Sequence, residues 1–156
     1  MIKLEYNLTE LREQEERLKF ENFTNEIAME IGLLIIKNAK KMNKSIIVDI
    51  RKANHQVFHY AMEGTTPDNN WWIIRKNNVV NRFSKSSLFI GIKLKLEEKS
   101  IEEKYLIDSK DYAPFGGAFP INVEGVGIIG TITVSGMKQI EDHNIIIETL
   151  SQYLNK

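Results

Sequence analysis

An α+β fold, an antiparallel sheet with helices packed on it, is predicted by three features of the sequence. The apolar pattern runs helix, two strands, helices, two or three strands, helix. The strands are joined by short turns and not by helical crossovers, and no internal repeat or low-complexity linker interrupts the chain. Its 156 residues, 42% hydrophobic and 27% charged, suit one ordinary domain that can hold a core without staples.

Each element has a local cause. Residues 1–22 are a highly charged helix or arm, in which sparse Leu8, Leu11 and Leu18 make a narrow docking stripe; residues 23–156 are the single domain. Thr24 caps a helix whose Ile27, Ile31, Leu34 and Ile35 recur at helical spacing, and Leu33 and Ile36 widen that stripe until the helix is mostly buried. Ser45 to Arg51 is β-branched. His55 to Met62 alternates, with Phe58 and Tyr60 on one face and Val57 and Ala61 on the other, and Lys52-Ala53-Asn54 supplies the hairpin turn. Gly64 stops that strand, Thr66 caps the next helix, and Pro67 opens it on a run to about Phe83. Ser86 to Lys95 fits either a helix or a strand through Leu88-Phe89-Ile90-Gly91-Ile92, with Ser86-Ser87 as a new cap favouring the helix, and Glu97 to Lys104 is a solvated stretch. Ala118 to Val123 and Val126 to Val134 read as paired strands turning near Glu124-Gly125. Gln139 to Leu154 is an amphipathic helix with Ile140, His143, Ile147, Leu150 and Leu154 on one side.

Composition also excludes functions. With 21 Lys and Arg against 21 Asp and Glu, no global field draws the chain to nucleic acid or to an anionic membrane. The absence of cysteine removes thiol nucleophiles, zinc ribbons and iron–sulfur clusters, and fits a reducing, cytoplasmic compartment. No 18-residue apolar run exists, and Met1-Ile2-Lys3-Leu4-Glu5-Tyr6 does not begin a signal peptide.

Several motifs invite chemistry. Gly125-Val126-Gly127-Ile128-Ile129-Gly130 spells the dinucleotide fingerprint, but β-branched residues follow where that motif needs a helix, so these glycines serve a turn and a strand. His55 and His59 are four apart, which in a strand separates them by roughly 13 Å at ~3.3 Å per residue, too far for one metal. His143, in the first turn of the last helix, is either a buried histidine satisfied locally or an axial ligand or proton donor at a pocket edge. Ser135, Asp142 and His143 lack any nucleophile-elbow context. Trp71 and Trp72 open a helix on which Arg75 and Arg82 recur one or two turns further, a pattern suited to a flat ligand bearing carboxylates or phosphates. The alternative is that Trp72, Val79 and Phe83 are core and the cations are solvated or face a neighbouring subunit.

Phe58, Gly64-Thr65, Pro67-Asp68-Asn69, Trp72, Arg75-Lys76, Arg82, Ser86-Ser87, Tyr112-Ala113, Gly116-Gly117, Phe119-Pro120, Gly125, Gly130, Ser135-Gly136, Gln139 and Asp142-His143 together resemble the uncharacterised branch of the haem-degrading domain family, which includes GlcG-like and HbpS-like proteins. The resemblance runs from about Phe23 to Leu154. It implies a profilin-like fold, a five-stranded antiparallel sheet between helical layers, and a homo-oligomer, dimer or higher. It also implies haem as the cofactor. Similar members often carry a histidine just before the glycine pair; here that position is Phe115, so a ligand or acid role there is lost. His59 or His143 would then have to serve the iron, with Arg75 or Arg82 near the propionates. The resulting expectation is a cytoplasmic, oligomeric binder of haem or a similar flat anionic molecule. Its site is walled by Trp71, Trp72, Arg75, Arg82, His59, Gly116, Gly117 and Phe119, without a separate metal ion. Haem breakdown with His143 in a catalytic role is the enzymatic variant, and a non-catalytic assembly module built on Trp71-Trp72 is the alternative.

Overall fold

The computed structural model describes residues 5–156, so the reading of Met1 to Leu4 lies outside the described residues. The elements are α1 (Leu8–Arg17), α2 (Asn25–Lys41), β1 (Ile47–Lys52), β2 (His55–Ala61), α3 (Pro67–Phe83), α4 (Ser87–Leu96), α5 (Ile101–Tyr105), β3 (Ala118–Val123), β4 (Gly127–Ser135) and α6 (Gln139–Leu154). Local chemistry sets their ends. Thr24 and Ser86 accept the N–H of Ile27 and Phe89 as side-chain caps, and Pro67 fills the first position of α3, where a missing N–H costs nothing. The β1–β2 turn places Ala53 and Asn54 in the left-handed region, at φ 47° and 65°, which matches a two-residue hairpin to the twist of its strands.

The four strands form one antiparallel sheet in the order β2-β1-β4-β3. The expected fifth strand is corrected here. Beyond these four, the described residues add only a single-residue bridge of Phe20 to Val123 on the outer edge of β3. Strand alternation divides the sheet into two unlike faces. Val48, Ile50, Phe119, Ile121, Ile132 and Val134 turn toward α2 and α6 and join Ile31, Ile35, Ile146 and Leu150 in the main core. The other face carries Asp49, Thr131, Thr133 and Ser135, all buried, and lies against α3. A second apolar cluster of Leu11, Val79, Leu88, Phe89 and Leu94 ties α1, α3 and α4 together. The charged N-terminal segment is therefore docked from α1 onward, and Leu18 and Phe20 reach into the main core.

The glycine string of the fingerprint sits as its β-branched context predicts, in the β3–β4 turn and in β4. Gly130 is demanded by strand approach, since a Cβ there would stand 1.9 Å from the Arg51 carbonyl oxygen. Gly130→Ala is expected to push β1 from β4 and lower stability by about 1–3 kcal/mol, read as a lower urea midpoint at unchanged slope.

Candidate functional site

The buried polar face of the sheet gathers a set of side chains around Asp49. Its carboxylate is fully buried and accepts from Arg51 Nε at 2.8 Å, Gln56 Nε2 at 2.7 Å and His59 Nδ1 at 3.0 Å. A carboxylate can only accept, so neutral His59 carries its proton on Nδ1 and presents the Nε2 lone pair outward, with no described residue bonding it. Gln56 and His59 are three residues apart and would face opposite ways in a regular strand. A bulge in the β1–β2 pairing, where Ile50 faces Phe58 but Arg51 faces Gln56, leaves Val57 as the extra residue and turns both polar groups onto Asp49. The same bulge turns Val57 toward the main core, correcting its expected place opposite Phe58. Beside this set, Thr133 pairs with Asp49 across the sheet and donates to Asn77 Oδ1 of α3. Asn77 is 3% exposed, and its Nδ2 has no partner among the described residues.

The segment expected to wall a ligand does bring α3 beside the double-glycine turn. The Ala113 N–H donates to the Arg75 carbonyl, and Trp72 meets Phe115 edge-on at 5.9 Å. What lies between them is not a hollow but an ion pair. Lys76 Nζ reaches Asp142 Oδ2 of α6 at 3.2 Å and the Val134 carbonyl at 3.1 Å, while Asp142 Oδ1 accepts the Met137 N–H. Burial pushes the Asp142 carboxyl up to about 7 and the Lys76 ammonium down, each shift partly opposed by the other charge. Gly117, at φ 136°, has no room for a Cβ, which would lie 2.4 Å from the Val134 oxygen and 2.9 Å from Lys76 Nζ; one on Gly116 would lie 2.3 Å from the Gln139 oxygen. The glycine pair thus lets the turn lie on α6 and on Lys76.

The remaining expected residues fall into two groups. Trp71 is 63% exposed, and Arg75 stacks over Trp72 at 4.6 Å while donating to the Ser109 carbonyl. Arg82 lies over Phe83 and Tyr112. These cations therefore sit on the side of α3 facing residues 109–112, away from the side where Asn77 meets the sheet. Phe115 also lines a groove of about 1010 Å³ with Gly91, Leu94, Gln139 and Ile140. Phe119 and His143 are interior. His143 Nε2 donates to Gln14 Oε1 of α1 at 2.8 Å, Tyr6 and Phe119 approach the ring edge-on, and Nδ1 has no partner among the described residues. Burial holds its imidazole down at about 3, so it is neutral and out of reach of solvent. The expected proton-donor or ligand role of His143 is corrected to a packing role, and Phe119 to core.

Asp49, Arg51, Gln56 and Asn77 were missed by the sequence reading, and Lys76 entered it only within the motif string of the resemblance. Only Asp49 and Arg51 left a signal, polar residues at period two inside a β-branched strand.

An α+β protein with an apolar sheet face, a polar sheet face and one carboxylate-oriented, outward histidine is the class that these features define. Residues 23–151 match the family described as haem degrading protein HbpS-like, and the chain belongs to that family. A UPF0303 protein of Serratia proteamaculans is 43% identical over 153 residues, covering 98% of this chain and 95% of the relative. Among solved structures, the Ybr137w protein superposes with a TM-score of 0.89 at 34% identity, covering 96% of this chain and 88% of that one. A PduOC:haem complex superposes at 0.68 with 14% identity, covering 85% and 94%, which is a likeness of fold. Among the described residues no helix is long and apolar enough to cross a membrane, and no group of three His, Cys, Asp or Glu could hold a metal ion.

Proposed function

We propose that this chain is an oligomeric cytoplasmic protein that binds haem or a similar flat anionic small molecule at the polar face of β1 and β2, with His59 Nε2 as the group that meets it. The observation that carries this reading is the Asp49–His59 pair. A buried carboxylate fixes the tautomer and aim of an accessible imidazole. His59 Nε2 would be the residue that holds the iron of a bound haem, since the ring carries its own nitrogen donors and needs no cluster of protein ligands. When bound, haem would supply iron for oxygen or redox chemistry. The protein's part is to hold His59 as the Nδ1–H tautomer and to offer cationic Arg51, whose side chain is partly exposed, to an acidic group of the ligand. Arg51 thereby takes the place expected for Arg75 and Arg82, which with Trp71 and Trp72 line the outer side of α3.

Titrating haem into the purified full chain is expected to produce a red-shifted, sharpened Soret band that His59→Ala weakens or moves and His143→Gln leaves in place. No spectral change on titration would end the reading; a change indifferent to His59 would remove the ligand from β2. The assembly reading keeps one specific support, the exposure of Trp71 and of the apolar patch on α2, and mass measurement addresses it below.

A further inference from the structure

We propose that the outer edge of β2 and the exposed side of α2 form one two-fold interface with a second copy of this chain. The inference rests on the self-association in the reading above and is independent of its ligand.

The edge strand supplies the first half of the argument. Strand order leaves β2 with one unpaired side, whereas the outer side of β3 is met by Phe20. Edges that stay single are usually defended by charge, proline or shortness. His55–Ala61 is seven residues long and contains no Lys, Arg, Asp, Glu or Pro. Its one irregularity is the bulge at Val57, which leaves Phe58 to Ala61 regular.

Helix α2 supplies the second half. It lies over β1 and β2 while α6 lies over β4 and β3, so it flanks the same edge. Met29, Leu33 and Tyr60 are each roughly half exposed along this side, at 41%, 55% and 48%. Glu26 lies seven residues before Leu33 and Lys40 seven residues after it; both are exposed and neither forms an ion pair with a described residue. Seven residues are about two turns, ~10.5 Å at 1.5 Å per residue. When two copies of α2 cross antiparallel at Leu33, Glu26 of each meets Lys40 of the other and the apolar residues meet at the centre. An isologous contact needs this self-complementarity.

The two halves share one axis. Gly32 is in close contact with the Phe58 ring, which sets Leu33 over the regular part of the strand. A two-fold normal to the sheet pairs β2 antiparallel with its copy and brings the α2 helices together antiparallel on one face. The other face then becomes continuous across both copies, and the two Asp49–His59 pairs stand on either side of the axis as one shared site.

Light scattering of the full chain, protomer mass 18.1 kDa, tests this with surface variants whose fold is checked by circular dichroism. The wild type is expected to be a dimer or a multiple of one. Leu33→Glu and Lys40→Glu should each cut the mass at least in half at micromolar concentration, and the double variant Glu26→Lys/Lys40→Glu should restore it. An unchanged mass in Leu33→Glu, or no rescue by the double reversal, places the contact elsewhere and overturns the inference while leaving self-association intact. A monomeric wild type overturns both, and the haem titration is untouched by either result.

Discussion

Lys76→Met is expected to cost about 3–5 kcal/mol of stability, because it strands the Asp142 carboxylate in the interior at the junction of α3, α6 and the double-glycine turn. Adding Asp142→Asn should recover most of that loss. The amide removes the uncompensated charge yet still accepts the Met137 N–H that Asp142 Oδ1 accepts now. The penalty should also depend on pH in a defined direction. Without the ammonium, burial acts on the carboxyl with no cation opposing it, so its folded pKa lies further above the ordinary value of 3.8. A group raised in this way contributes stability that is present below its unfolded pKa and lost as pH rises through the folded one. Urea unfolding of Lys76→Met should therefore show a larger deficit at pH 8 than at pH 5. Equal deficits at both values, or a loss under 1 kcal/mol, would mean that the pair is not the electrostatic joint described.

The second large effect belongs to His143, and it appears in acid. Burial holds its folded pKa at about 3, below the ordinary value of 6.5. A depressed pKa contributes stability that is present above the unfolded value and lost as pH falls from 6.5 toward 3, at roughly 1.4 kcal/mol per pH unit. His143→Gln removes the titration while keeping an amide that can reach Gln14. The variant should be less stable than, or equal to, wild type at pH 7 and should overtake it progressively below pH 6. Glu15, raised to about 6 by burial, and Asp142 titrate in both proteins and largely cancel in the difference. A wild-type-minus-variant difference that stays flat from pH 7 to pH 4.5 would falsify the description of His143 as a neutral interior group.

The two histidines show why a site is harder to read than a fold. His143 follows two acids and shares a helix face with Ile140 and Ile147, and that pattern fits a core position as well as a pocket edge. What closes it off is Gln14 and Tyr6, more than 120 residues away in the chain. His59 stands in an alternating strand as a surface residue would, and nothing near it in sequence names Asp49 as its partner. Likewise, a glycine pair beside a tryptophan helix suggests a ligand loop. Neither glycine's neighbours in sequence disclose that Lys76 lies beneath Gly117.

Local chemistry, by contrast, was legible. The caps at Thr24 and Ser86, the proline at the start of α3, the Ala53-Asn54 turn and the β-branched run after Gly127 each act within a few residues, so spacing placed the longer helices and the four strands, while the short helix α5, capped by Ser100, lies in what reads as a solvated stretch. The same run kept the glycine fingerprint from being taken for a nucleotide site. Tertiary structure decided the rest: that one sheet face is apolar and the other polar, that a bulge of one residue turns Gln56 and His59 onto the same carboxylate, and that the cations of α3 split between an interior ion pair and an outer surface. The physical reason is range. Propensity and capping are settled by neighbours along the chain, whereas burial and charge pairing depend on groups that meet only once the sheet has closed.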